Sequence, residues 1–559
     1  MSSLFITLFS LLCFFSIGLL IANFLVGKNH LPKEMIFVGA IGCVALLYYS
    51  LFFLFILNFR LGYIANIFSH GLGMAAILYF IYCYSSQKKQ NPHIIIPSIL
   101  TLLFFCLYST ALTGCRLSTY SQNAQDNLGY CELSGLPIDN SLPYTFAANV
   151  KDNLAKNRIG DWRLVDRPPI QIGAALSVGQ FTSNKNASYE AYQYLAIFLQ
   201  LSWIGVIYGF LALAGIKLKN ILLILMLSGF NGFIFINSIY VWPKLLAASL
   251  MLAGLALILI SKKNKVIKYL PLSMAFFALA LLTHGGVLFT LIGAFPLLLY
   301  IIFRHNNRKQ MIKSLRYGTI GIALFLVILF PWLFYKNSNS QSDRLVKWHI
   351  AGVISAQDER STLSTIKDSY STLTLNAWGK SKFKNVEAIL FPINTDSDNK
   401  SLLSTMSSWV RTNQFFIMIV AIGLFNIGWL ELFFRKYRKS INKFEVHSFL
   451  VVLFSTIVYI FAMFKGGGTV LHQGSYATML LLYSILGVAL SRLGSKVLSS
   501  LVVLQVIIFY IVWVYDIYKK SEAASLYLLM EFGLVILIPL VGYIPVSYTH
   551  LTLPTKRIV

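Results

Sequence analysis

Carboxylates, cations and imidazoles are concentrated at a few places in a chain that otherwise consists of apolar runs. Two polar stretches, residues 115–189 and 336–412, hold most of the acidic side chains. The first contains Asp139, Asp161, Asp166 and Arg167, and the second contains Arg344, Lys347 and His349. Other candidates sit at the edges of apolar runs. They are Lys244 in Val241-Trp-Pro-Lys244, His284 in Thr283-His-Gly-Gly286, and His472 and Tyr476 in Leu471-His-Gln-Gly-Ser-Tyr476. A carboxylate within about 3 Å of a hydroxyl can take its proton. Arginine and lysine neutralise the charge that develops on a departing phosphate. Together these residue types suit group transfer from a lipid-linked phosphate. Such charges interact more strongly at a low-dielectric boundary than in water. A prenyl tail would give the site a reason to sit in a membrane body, each buried CH₂ adding about 0.8 kcal/mol to retention.

Each residue also has a plainer reading. Asp139 suits a helix N-cap. Asp166-Arg167 suits a local ion pair, which contributes about 0–1 kcal/mol when exposed. Pro168-Pro169 suits a helix stop. Lys244 beside Trp242 is what an interfacial anchor looks like, and His284 and His472 suit solvated residues at the ends of spans. Arg344, Lys347 and His349 have a better claim to a role, because their charge runs against the pattern of the rest of the chain.

The elements that must position these groups are membrane spans. The chain has 559 residues, 57% of them hydrophobic and 12% charged, with mean hydropathy +0.70. That composition belongs to an all-α polytopic membrane protein. Spanning takes about 20 apolar residues per helix, and the runs predict 12 to 15 transmembrane helices with two large outer loops. The net charge of +26 does not indicate nucleic acid, because the basic residues cluster in every second short connection. Lys28/Lys33, Lys88/Lys89, Lys217/Lys219, Lys262–Lys268, Arg304–Arg316, Arg435–Lys443 and Arg492/Lys496 alternate with connections that hold few cations. By the positive-inside rule these clusters are cytoplasmic, so both polar stretches face outward, into the periplasm.

The organisation expected is N-terminal spans over 1–114, a first outer loop over 115–189, spans over 190–335, a second outer loop over 336–412 and spans over 413–544. Leu142, Phe146, Val150 and Leu154 recur every four residues, so 140–157 predicts an amphipathic helix lying on the membrane surface, with Pro143 in its first turn. Cys115 and Cys131 share the first loop and could pair in an oxidising compartment, although spacing alone does not bring thiols together. Pro545–Val559 resembles a translated sequencing-adapter tail and is set aside as an artefact. No Walker motif, Rossmann glycine pattern, HExxH or paired CxxC occurs, which leaves nucleotide hydrolysis, redox cofactors and structural zinc without support.

Asp139-Asn-Ser-Leu-Pro-Tyr-Thr-Phe-Ala-Ala, followed by Gly160-Asp-Trp-Arg-Leu-Val-Asp-Arg-Pro-Pro-Ile170, resembles the first outer loop of the GT-C integral-membrane glycosyltransferases, particularly the protein-mannosyltransferase and aminoarabinose-transferase group. The likeness covers residues 93–350 or so. It implies a bacterial inner-membrane enzyme with a polyprenyl-phosphate-linked sugar donor, a glycan, lipid or protein acceptor, and inverting displacement at the anomeric carbon. It matches Asp139 to the catalytic base and Asp166 to a second carboxylate. Arg167, Lys244, His284, Arg344, Lys347, His349, His472 and Tyr476 are then the candidates for substrate binding. The family's acidic pair is Asp139-Asn140 here, which weakens the case for a divalent metal, and no cofactor is assigned. The loop follows the fourth span rather than the first.

Two other readings stay open. An O-antigen ligase or polymerase type of transferase also combines many spans with a large outer loop, but relies on outer arginines. A lipid-linked sugar transporter or flippase would place ionisable residues mid-span, whereas Glu431, Asp516 and Glu531 lie at or near the ends of their runs.

Overall fold

In hydrocarbon every backbone N–H and C=O needs a partner from its own segment, so the apolar runs fold as helices. A computed structural model describes residues 3–86, 91–114, 140–151, 158–159, 162–181, 184–259, 263–303, 307–339, 346–353, 360–390, 418–434, 443–464 and 476–514. The chain is an all-α polytopic membrane protein. Among the described residues nine helical segments are long and apolar enough to cross a membrane, with one bent pair and five shorter apolar helices beside them. The strands described are two residues each, β1 (Arg158–Ile159) and β2 (Trp162–Arg163), paired antiparallel in the first polar stretch.

Four long helices open the chain: α1 (Ser3–Gly27), α2 (Ile36–Leu57), α3 (Phe59–Ser86) and α4 (Pro92–Gly114). The first polar stretch holds α5 (Leu142–Lys151) and α6 (Pro169–Gly179). Leu142, Phe146 and Val150 are buried in the main core, so the stripe of α5 seats against α6 within the protein. Its partner in the pattern, Leu154, lies outside the described residues. The run 190–216 is α7 (Lys185–Gln200) followed by α8 (Ser202–Leu213).

The run 220–239 reads as one span, yet it is two helices, α9 (Leu218–Gly229) and α10 (Gly232–Ile239), bent by 65°. Side chains make the break tolerable. Asn231 caps α10 by accepting from the Phe233 N–H at 2.9 Å. The freed carbonyls of Gly229 and Phe230 accept from the Tyr108 hydroxyl at 2.5 Å and from Gln505 Nε2 at 3.0 Å. A break inside a span persists only when its backbone groups are satisfied in this way.

At the centre stands α11 (Lys244–Leu259), sixteen residues long and buried along its whole length. A helix that is apolar all round belongs in the interior. It packs against α2, α8, α12 (Lys263–Thr283) and, further along the chain, α20 (Tyr476–Ser491). Around this core run α13 (Leu288–Phe303) and α14 (Arg308–Asn339). The second polar stretch contributes a π-helical turn, Lys347–Ala351, and the helices α15 (Thr362–Ser371) and α16 (Leu375–Leu390). The chain continues through α17 (Met418–Ile422), α18 (Ile427–Phe434) and α19 (Lys443–Ala462) to α20 and α21 (Ser495–Phe509).

Candidate functional site

Lys244 is the first residue of α11 and is buried, 5% exposed. A cation there meets the positive end of the helix macrodipole, which is unfavourable by itself. Two aromatic faces offset this. The ammonium lies 3.4 Å from the Trp242 ring centroid and 5.1 Å from that of Tyr476, contacts that contribute about 2 kcal/mol when desolvated. Tyr476 is itself held in place, its hydroxyl donating to Asn237 Oδ1 at 2.7 Å while Asn237 Nδ2 donates to the Phe233 carbonyl at 2.8 Å.

The backbone leading into Lys244 is unusual. Val241 has φ +46°, a left-handed conformation that a β-branched residue adopts only under constraint from its surroundings. Gln171 of α6 supplies part of that constraint, since its Nε2 donates to the Val241 carbonyl at 2.7 Å and to the Tyr192 hydroxyl at 2.9 Å. Tyr192 donates in turn to the Asn140 carbonyl at 3.2 Å. A continuous hydrogen-bonded chain therefore runs from the start of the first-loop helix to the turn that presents Lys244.

His284 occupies the junction between α12 and α13. Its Nδ1 accepts from the Gly286 N–H at 3.0 Å, so the neutral ring carries its proton on Nε2. Burial, and then the charges of Lys244, Arg167 and His349, hold its pKa well below the usual imidazole range. The residue as a whole is half-buried.

Those three influences identify what meets here. Arg167 follows the 3₁₀ turn Leu164–Asp166, with its N–H on the Leu164 carbonyl at 3.1 Å. His349 belongs to the π-helical turn of the second loop and stacks on Trp348 with ring centroids 5.2 Å apart. The Phe464 N–H donates to its carbonyl at 2.9 Å, which ties that turn to the end of α19. Lys347, in the same turn, is buried. Arg167, Lys244, His284, His349 and Tyr476 thus come from five separate parts of the chain to one end of the bundle. Asp139, Asp161, Arg344 and His472 lie outside the described residues, as do Cys115 and Cys131. Asp166 is placed by its backbone, as the last residue of its turn.

Sequence reasoning missed Gln171, Tyr192 and Asn237. Gln171 and Asn237 did carry a signal, being lone amides within apolar helices, where an unsatisfied polar group is costly. Among the described residues no three His, Cys, Asp or Glu side chains gather as a metal site. The arrangement can bind an anion through buried cations and donate a hydrogen bond to it from a neutral imidazole. Comparison with known proteins finds no matching family model, no matching curated protein and no matching solved structure.

Proposed function

We propose that this chain is a GT-C-like glycosyltransferase of the bacterial inner membrane, moving a sugar from a polyprenyl-phosphate donor to an acceptor hydroxyl on the outer face. The observation that carries the reading is the meeting of Arg167, Lys244 and His349 around His284, fed from both polar stretches. In the proposed reaction Asp139 takes the proton of the acceptor hydroxyl. The acceptor oxygen bonds to the anomeric carbon as the carbon–oxygen bond to the phosphate breaks, with inversion. The polyprenyl phosphate leaves with the electron pair, and Lys244 and Arg167 offset its charge. Asn140 supports the role given to its neighbour, because its carbonyl ends the hydrogen-bonded chain that reaches Val241.

The test is transfer of radiolabelled sugar from a polyprenyl-phosphate donor by purified Asp139→Asn protein. Expression and thermal melting should match the wild type while transfer disappears, and full activity in this variant would remove the mechanism. A ligase-type transferase is the second reading, favoured by the buried Lys347 and the half-buried His349 of the second loop. Monosaccharide and oligosaccharide lipid donors, compared in the same assay, separate the two.

A further inference from the structure

The second polar stretch ends its described part in α16, and its contacts with α19 fix how it lies. From Trp378 to Ile389 this helix advances roughly 16 Å, whereas its partners lie between Tyr459 and Phe464, within roughly 8 Å along α19. The Trp378 ring packs on Phe461 with centroids 5.8 Å apart. Ser381 donates to the Phe464 carbonyl, Lys382 to the Met463 carbonyl at 2.6 Å, and Asn385 to the carbonyls of Ile460 and Met463, both at 2.8 Å. Ile389 closes a small cluster with Tyr459 and Met463. These donors satisfy carbonyls that the end of a helix leaves open. They also fix α16 steeply across the end of α19.

A helix lying across the end of a spanning helix runs along the membrane plane. Its remaining faces divide accordingly. Leu375, Phe383 and Val386 share one edge at helical spacing, and Leu375 and Phe383 are 84% and 64% exposed. Lys380, Lys384 and Glu387 are exposed on the face beyond them. On α19 itself Leu453, Ile457 and Phe461 form an exposed stripe at steps of four residues. Trp378 packs on the last of these, so the apolar edge of α16 begins where the lipid-facing stripe of α19 ends.

We propose that α16 is an in-plane anchor, with Leu375 and Phe383 dipping into the acyl region of the outer leaflet and Lys380 and Lys384 meeting phospholipid phosphates. Apolar burial combined with charge attraction is how amphipathic helices hold an interface. The anchor stands independently of the transferase reading. It bears on the site all the same, because Phe464 is bonded both to Ser381 of α16 and to His349.

The test uses the full-length protein in phospholipid nanodiscs, with the photo-crosslinking residue p-benzoylphenylalanine at position 375, 383 or 377. Mass spectrometry should find phospholipid adducts at Leu375→p-benzoylphenylalanine and Phe383→p-benzoylphenylalanine several-fold above those at Ala377→p-benzoylphenylalanine, which lies on the opposite edge. Equal or absent adducts at 375 and 383 overturn the anchor. In a second arm, native mass spectrometry counts the phosphatidylglycerol and phosphatidylcholine retained by wild type and by Lys380→Gln/Lys384→Gln. The preference for phosphatidylglycerol should fall about fivefold for each lysine removed, and an unchanged preference overturns the headgroup contact.

Discussion

Two groups of charges, each only partly buried, lie at opposite ends of α20 and follow opposite rules. Arg492, just past the helix, forms an ion pair with Glu445, in the first turn of α19. Each ion there sits at the helix end whose dipole favours it. About 24 Å away along α20, Tyr476 helps hold Lys244 at the helix end that disfavours a cation, and Arg167 and His349 add to the charge around His284. The first arrangement satisfies itself within the fold. The second brings Lys244, Arg167 and His349 near one imidazole, whose protonated form their charges disfavour. The pair of opposite charges is thus read as a fastening, and the cations gathered near a neutral imidazole are the ones that the proposed function assigns to the donor phosphate.

Four variants or conditions break or sharpen that contrast. Glu445→Gln leaves Arg492 without its carboxylate and should cost about 3 kcal/mol of stability, seen as a lowered melting temperature in detergent. Sugar transfer well below that temperature should be unchanged, and a selective loss of transfer would mean that the two ends are not separate in purpose. Lys244→Ala should do the reverse. Turnover should fall about 100-fold, equivalent to roughly 2.7 kcal/mol, with little change in melting, because the unfavourable dipole and the two aromatic contacts that offset it are lost together.

The pH response follows from His284. Its folded pKa lies below the ordinary 6.5, so the unfolded chain binds the proton first as pH falls. The stability it contributes is fully present above pH 6.5 and declines below it, by at most about 1.4 kcal/mol per pH unit. The difference in melting temperature between wild type and His284→Gln should accordingly shrink between pH 7 and pH 5. A constant difference would show that folding does not lower the pKa of this imidazole. The smallest effect is expected from Tyr476→Phe, which keeps the ring beside Lys244 but loses the hydrogen bond to Asn237. About 1 kcal/mol is at stake, so donor affinity should weaken about fivefold with little change in turnover.

How far the sequence could be read depended on the range of the interaction. The long helices were visible because a span needs an unbroken apolar run, a property of consecutive residues. The break between α9 and α10 was not, since Asn231 and Gly232 look like any two small or polar residues until Tyr108 and Gln505 arrive from other helices to accept the bend. Lys244, His284 and His349 stood out as ionisable groups beside apolar runs. Gln171 and Asn237 showed only as lone amides within apolar helices, and their roles stayed hidden because their partners Val241 and Tyr476 are 70 and 239 residues away. The helix α5 was legible from its four-residue stripe, but the surface it buries against was not, since period gives a face and not a neighbour.

Composition and the spacing of apolar and basic residues determined by themselves that this is a helical protein of many spans, with most of its acidic side chains in two polar stretches. Hydropathy is a local sum, and local sums survive without coordinates. Which cations share one imidazole, which helix end carries Lys244 into the interior and how α16 lies across α19 were decided only by tertiary structure. Each depends on contacts between residues far apart in sequence, and no pattern along the chain encodes the distance between them.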